Sequence, residues 1–352
     1  MSDAPVAELA RLIEAASGNV ITPGHYPFLA QAAARRVRAC SLPDLAAYVK
    51  ALASGALTGE WGSLLPLITI NESYFFRTPQ HFAALTRDLL GSLLAARHSD
   101  RRLGIWSAGC ARGEEPGTLA ILLAEHPALA GWDWRILATD VDEETLAAAR
   151  RGLYGARAVA QIPAPLLSRH FTSGGDRFEL ASALRQRIDF RTLNLMDDPL
   201  VAPGAPFDVI MLRNVLIYFR PEAQRRVARA VARNLAADGY LFLGPAETLW
   251  QISDELEPVD LGDCFCYRKK GTEDRGPGSG VRGPAPARPD DRGPGAGVRG
   301  PATARPDDRG PGSGVRGPAP THPGDRGPGS GVRGPAPTHP GDRGPGAGVR
   351  GP

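Results

Sequence analysis

No aromatic residue occurs between Gly271 and Pro352, a stretch of 82 residues that holds 23 glycines and 17 prolines. Such a segment has too little apolar surface to offset the entropy of ordering it, so residues 271–352 are expected to be disordered. A 17-residue unit recurs there, beginning as DRGPGSGVRGPAPARPD at Asp274 and restarting at Asp291, Asp308, Asp325 and Asp342. The strict Gly-X-Y period is missing, which excludes a collagen triple helix. Charge is uneven as well. The tail carries 12 arginines against 8 acids, whereas the remainder carries 29 basic and 30 acidic side chains. The net charge of +3 and the pI of 8.8 therefore belong to the tail. Interspersed aspartates and the lack of stacking aromatics argue against nucleic-acid binding, and a solvated tether is expected.

Cysteine is scarce. Cys40, Cys110, Cys264 and Cys266 include no CxxC pair and no matching histidine spacing, so no metal site is expected. Buried, reduced thiols in a cytoplasmic protein are the simplest reading, and Cys264 and Cys266 share a face if they lie on a strand. No uninterrupted apolar run nears roughly 18 residues, and no signal-peptide core is evident, so neither membrane insertion nor export is expected. A Ser/His/Asp or Cys/His arrangement is not evident either, and none of the seven histidines is given a role.

What is present divides in two. Residues 1–98 read as a small all-α domain without a convincing alternating strand. Within it Thr78 suits an N-cap, Pro79 suits the first helical position, and Phe82, Leu85, Leu89 and Leu93 recur along one face. Arg77 then lies in a turn just before a helix. Residues 99–270 alternate strands and helices, which means a mostly parallel sheet covered on both faces. Strands are predicted at Leu103–Gly109, Trp134–Asp140, Arg187–Leu195, Phe207–Asn214, Tyr240–Gly244 and Cys264–Lys269, and helices at Gly117–Glu125, from Asp142 to near Gly152, and from Pro221 to Gly239. The last helix carries Val227, Val231 and Leu235 as its apolar stripe. Between about Tyr154 and Ile188 the alternation fails, and FTSGGDRFEL predicts a small antiparallel insert.

Open parallel sheets bind ligands beyond the carboxyl ends of their strands. The run Gly109–Gly113 follows the first strand, but it is not a complete G-x-G-x-x-G. Glu114 and Glu115 come next and would repel a pyrophosphate, while one of them could pair with an amino group. Asp140 ends the second strand, where a carboxylate can accept both hydroxyls of a ribose or can serve only as a helix cap. An adenosyl ligand with a cationic amino-acid end fits this pattern better than NAD.

Five ordered segments carry a more specific signal: NESYFFR (Asn71–Arg77), WSAGCARGEEP (Trp106–Pro116), ILATDVDEETLAAARRGLY (Ile136–Tyr154), FDVIMLRNVLIYF (Phe207–Phe219) and GYLFLGPAETL (Gly239–Leu249). Over about Leu9 to Arg268 the chain resembles the CheR family of protein-glutamate O-methyltransferases. The resemblance implies a Rossmann-like α/β sheet of seven strands that binds S-adenosylmethionine, a small N-terminal all-α domain, and an inserted antiparallel β-subdomain able to dock receptors. It implies transfer of a methyl group to glutamate carboxylates of methyl-accepting chemotaxis receptors, in the cytoplasm and at receptor arrays. Residue by residue, it implies that Asn71, Ser73 and Arg77 contact the cofactor or flank its methyl group. Glu115 meets the methionine amino group, Asp140 the ribose, and Asn194 and Leu195 the adenine, while Arg213 and Asn214 line the pocket. Tyr218 lies near the transferred methyl.

Arg77 and Tyr218 are thus the candidate catalytic residues. Their structural alternatives are an ion pair of Arg77 with Glu72 or another acid, and a core position for Tyr218. Trp106 is expected beneath the glycine loop. The chain departs from the family at Ala111-Arg112 (usually Ser-Thr), at Gly117-Thr118 (usually Tyr-Ser) and at Pro245-Ala246 (usually His-Ser). Two other readings remain: a methyltransferase of this family acting on another acceptor, and a cofactor-binding scaffold without turnover.

Overall fold

The computed structural model describes residues 4–69 and 72–271; Asn71 and the repeats lie outside the described residues. Among the described residues ten strands form two sheets. β1 (Arg102–Ala108), β2 (Asp133–Asp140), β6 (Ile188–Thr192), β7 (Phe207–Leu212), β8 (Leu235–Leu243), β9 (Leu256–Asp260) and β10 (Phe265–Lys269) make a seven-stranded sheet in the order β6-β2-β1-β7-β8-β10-β9. The first five neighbours in that order run parallel, and β10 returns antiparallel to both β8 and β9. β7 is buried at every position, as a central strand covered on both faces should be. Its alternate side chains part between two cores. Val209 and Met211 join the cluster around Leu119 and Ile121 of the helix Glu114–Glu125. Ile210 and Leu212 join the cluster around Val227 and Val231 of the helix Pro221–Asn234.

The α/β architecture matches the expected one. The small sheet is β3 (Leu153–Gly155), β4 (Phe171–Gly174) and β5 (Arg177–Leu180), antiparallel throughout, in the order β3-β5-β4. It falls in the segment where the alternation was expected to fail. Asp142 caps the following helix by accepting the Thr145 N–H at 2.9 Å, a contact worth about 1 kcal/mol. Trp106 is fully buried, its indole N–H donating to the Thr139 hydroxyl at 2.9 Å.

The N-terminal helices Ala4–Ser17, Tyr26–Ala39 and Leu45–Ala53 pack around their own cluster of Leu9, Ile13, Leu29 and Tyr48. They also reach the sheet. The Asn194 amide donates to the Ala16 carbonyl at 2.7 Å, the Val20 N–H donates to the Tyr218 carbonyl at 2.9 Å, and Arg220 pairs with Glu14.

Four local expectations need correction. The helix from Pro221 ends at Asn234, and Leu235 and Gly239 belong to β8 instead. The Asn234 side chain turns inward, accepting from Ala202 N–H at 2.9 Å and donating to the Leu200 and Ala230 carbonyls. Thr78 does precede a helix at Pro79, but its backbone is left-handed (φ 60°) and its hydroxyl makes no cap bond. Cys40 is only half-buried, unlike Cys110, Cys264 and Cys266. β9 was not predicted.

Candidate cofactor site

The site is built from strand ends. β1 leads into Gly109, whose φ is +78° and whose hypothetical Cβ would fall 2.5 Å from Val215 Cγ2. Only glycine lets the β1 and β7 loops approach so closely. β2 ends at Asp140, which accepts the Ala111 N–H at 2.9 Å and the Asp142 N–H at 3.0 Å. Asp140 is therefore no helix cap; Asp142 takes that part, and Asp140 shapes the loop. Burial pushes its carboxyl above the ordinary value, opposed by those N–H donors.

The helix Glu114–Glu125 begins directly after the loop, and its first turn offers two carboxylates. Glu115 accepts the Ser107 hydroxyl at 2.6 Å and Arg213 Nη1 at 3.0 Å. Desolvation raises its pKa, and the Arg213 charge resists the rise. Arg213 follows β7, is buried, and stacks over Phe82 at 5.1 Å. Glu114 is buried, and burial raises its carboxyl, opposed by the nearby Ser73 hydroxyl.

Arg77 enters from the other side of the cleft. Its Nη1 donates to the backbone carbonyl of Glu72 at 2.8 Å, while the Glu72 carboxylate pairs with Arg157. Among the described residues no carboxylate lies within ion-pair distance of Arg77. Tyr218 closes the 3-10 turn Leu216–Tyr218 after β7 and is half-buried. Burial raises its phenol, and the nearby Arg77 charge pulls the other way.

One cavity of about 280 Å³ gathers these residues. Ser73, Arg77, Glu115, Asp140, Asn194, Leu195, Arg213, Asn214 and Tyr218 all line it. Sequence reasoning missed its N-terminal wall, formed by Ser17, Asn19, Val20, Ile21, His25 and Phe28. No local pattern marks those positions; tertiary contacts such as Val20 to Tyr218 bring them there. Glu247 was also missed. Its carboxylate accepts backbone N–H groups of Asn214, Val215 and Gly244 beside the cavity.

The departure at Gly117-Thr118 has a local reason. A Cβ on Gly117 would fall 2.6 Å from Phe75 Cε1, so the Phe75 ring uses the space that a side chain would need. Thr118 accepts the Phe76 N–H at 3.0 Å. The helix thereby holds the segment that carries Arg77.

The profile described as "CheR methyltransferase, SAM binding domain" matches residues 71–263. A chemotaxis protein methyltransferase of Escherichia coli K12 is 34% identical over 254 residues, covering 70% of this chain and 85% of the relative. Its Salmonella typhimurium counterpart is 33% identical, covering 73% of this chain and 88% of the relative. An uncharacterized 104.1 kDa protein of Rhodobacter capsulatus is 36% identical over 72% of this chain, which spans only 26% of that longer protein.

The cavity suits S-adenosylmethionine. Two half-buried carboxylates face a space that can take hydroxyls and an ammonium group, each with acceptor capacity beyond its present partners. Among the described residues Arg213 Nε has no hydrogen-bond partner, an unmet donor on a side chain that lines the cavity. Fold, site and comparisons agree that the chain belongs to the CheR family of S-adenosylmethionine-dependent methyltransferases.

Proposed function

We propose that the chain esterifies glutamate side chains on the cytoplasmic domains of chemotaxis receptors, with S-adenosylmethionine as methyl donor. The observation that carries this reading is the common cavity: Arg77 and Tyr218 line the same space as Glu115 and Asp140. The names of the relatives from E. coli and Salmonella, which the chain matches over most of their length, support the same direction.

Bound S-adenosylmethionine supplies an activated methyl group, which a carboxylate oxygen of the acceptor takes in one displacement as the carbon–sulfur bond opens. A glutamate carboxylate, with an unperturbed pKa near ~4.3, is already ionised at neutral pH, so the chain needs no general base. Its task is positioning. Asp140 accepts the ribose hydroxyls, Glu115 receives the amino group, and Asn194 and Leu195 flank the adenine. Ser73, Asn214 and Arg213 complete the lining, with Asn71 as a further contact. Arg77 orients the incoming carboxylate through its planar fork, free of a competing acid. Tyr218, a phenol with an ordinary pKa near ~10, is protonated at neutral pH, burial raises that pKa further, and it donates a hydrogen bond beside the transfer.

The test is methyl transfer from labelled donor to a panel of receptor cytoplasmic fragments, with Arg77→Ala and Tyr218→Phe beside the parent. The expected product is a base-labile ester. Arg77→Ala should lose about a hundredfold in kcat and Tyr218→Phe about tenfold. A base-stable product would point to another acceptor, and donor binding without transfer would point to a scaffold; either result ends this reading.

A further inference from the structure

We infer that Glu247 is a positioning residue for the reaction, holding the loop that carries Asn214 and Tyr218. This rests on the role given to Tyr218 above. The Glu247 carboxylate faces a ring of backbone donors. Oε2 accepts the N–H of Asn214 and of Gly244, both at 2.6 Å. Oε1 accepts the N–H of Val215 at 2.8 Å and of Ile217 at 3.3 Å. One carboxylate thus fastens three N–H groups of the post-β7 loop to the end of β8, as backbone nests fasten anions elsewhere.

The loop needs such a clamp. Asn214 has φ +59°, a left-handed conformation that asparagine adopts more readily than other residues with a side chain, and the carboxylate at its N–H holds it there. Gly244 is part of the same device, since a Cβ there would fall 2.7 Å from Glu247 Oε2 and 2.9 Å from Asn214 N. The turn then passes straight into Tyr218, whose N–H donates to the Val215 carbonyl at 3.2 Å. A second fastening comes from the N-terminal helices, through Val20 N–H to the Tyr218 carbonyl. Glu247 fixes the loop from below and Val20 from the far side, leaving the phenol in the cavity.

Glutamine is the informative replacement, because its amide group puts a donor against donors and breaks one half of the ring while keeping shape. In full-length protein, Glu247→Gln should lower kcat by about 10–100-fold on receptor fragment while the affinity for S-adenosylhomocysteine changes only a few-fold. Because Glu247 acts through Tyr218, the double variant Glu247→Gln/Tyr218→Phe should be no slower than the slower single variant. Losses that multiply in the double variant, or a Glu247→Gln enzyme at parental kcat, would overturn the inference. Glu247→Asp keeps the charge and should regain part of the rate; it also serves if the glutamine variant does not fold, and parental kcat in it would then count against the clamp. Amide hydrogen exchange at Asn214, Val215 and Ile217 reads the clamp without any acceptor. At least about tenfold faster exchange is expected in Glu247→Gln, and unchanged exchange refutes the inference. Absence of ester formation by the parent would instead refute the proposed function, with the exchange result still standing.

Discussion

Asp140 and Glu115 show how burial sets the charge of carboxylates in the proposed cofactor site. Both side chains are half-buried, and withdrawal from water penalises the anion, so both folded pKa values lie above the unfolded ones. In the ligand-free protein each ionised group therefore costs stability above its folded pKa, and that cost vanishes below the unfolded pKa. A ligand offering hydroxyls and an ammonium group favours the anions and lowers both pKa values. Affinity for S-adenosylhomocysteine should accordingly fall as pH drops through the ligand-free carboxyl values, above the ordinary ~3.9–4.3. Protons should leave on binding within that window. Calorimetry in two buffers of different ionisation enthalpy measures both, and an affinity flat down to about pH 4.3 would contradict the assignment. Glu115 has a second duty that the motif did not reveal. It is the counter-ion of buried Arg213, so its loss leaves a charge stranded in the interior.

At the scale of elements, the helix Glu114–Glu125 acts as a plate for the Arg77 segment. Thr118 takes the Phe76 N–H, and Gly117 makes room for Phe75. The insert closes the other side: the Phe75 N–H donates to the Ala158 carbonyl at 3.0 Å, and its ring meets Tyr154 edge-on at 4.7 Å. Gly117→Ala should overpack this contact and destabilise by about 1–3 kcal/mol, with a fall in kcat as Arg77 shifts. Phe75→Leu in the same chain should recover part of both, as read by thermal melting and turnover; no recovery would mean the packing account is wrong. The contacts also explain what was legible in advance. β7 and the strand ends were readable because apolar runs and chain order are local properties. The end of the helix at Asn234 was not, because Val227, Val231 and Leu235 face the same core whether the last of them is helical or extended. β9 escaped for a different reason: it is a short edge strand that contains Pro258 and two acids, Glu257 and Asp260, and so lacks an apolar alternation. Glu247 escaped because its partners lie some thirty residues earlier in the chain.

At the scale of the whole molecule, the question is where the working body stops. The described fold closes its last bonds at β10. Lys269 Nζ donates to the Leu235 carbonyl at 2.7 Å, and the Lys270 N–H donates to the Glu255 carbonyl at 3.0 Å. Arg268 pairs with Glu257 across the β9–β10 edge. Every residue lining the cofactor cavity precedes Lys270, the latest of them being Phe219. The repeats add arginine, proline and glycine, with one valine per unit as their largest apolar side chain. A chain ending at Lys270 should therefore melt within about 2 °C of the parent, since less than about 1 kcal/mol of folding energy is at stake. Its kcat on free receptor fragment should match the parent within twofold, a difference of about 0.4 kcal/mol in barrier. A large loss of turnover with unchanged melting would mean that the repeats contribute directly to the chemistry or to acceptor capture. Loss of both would mean that the body extends past β10.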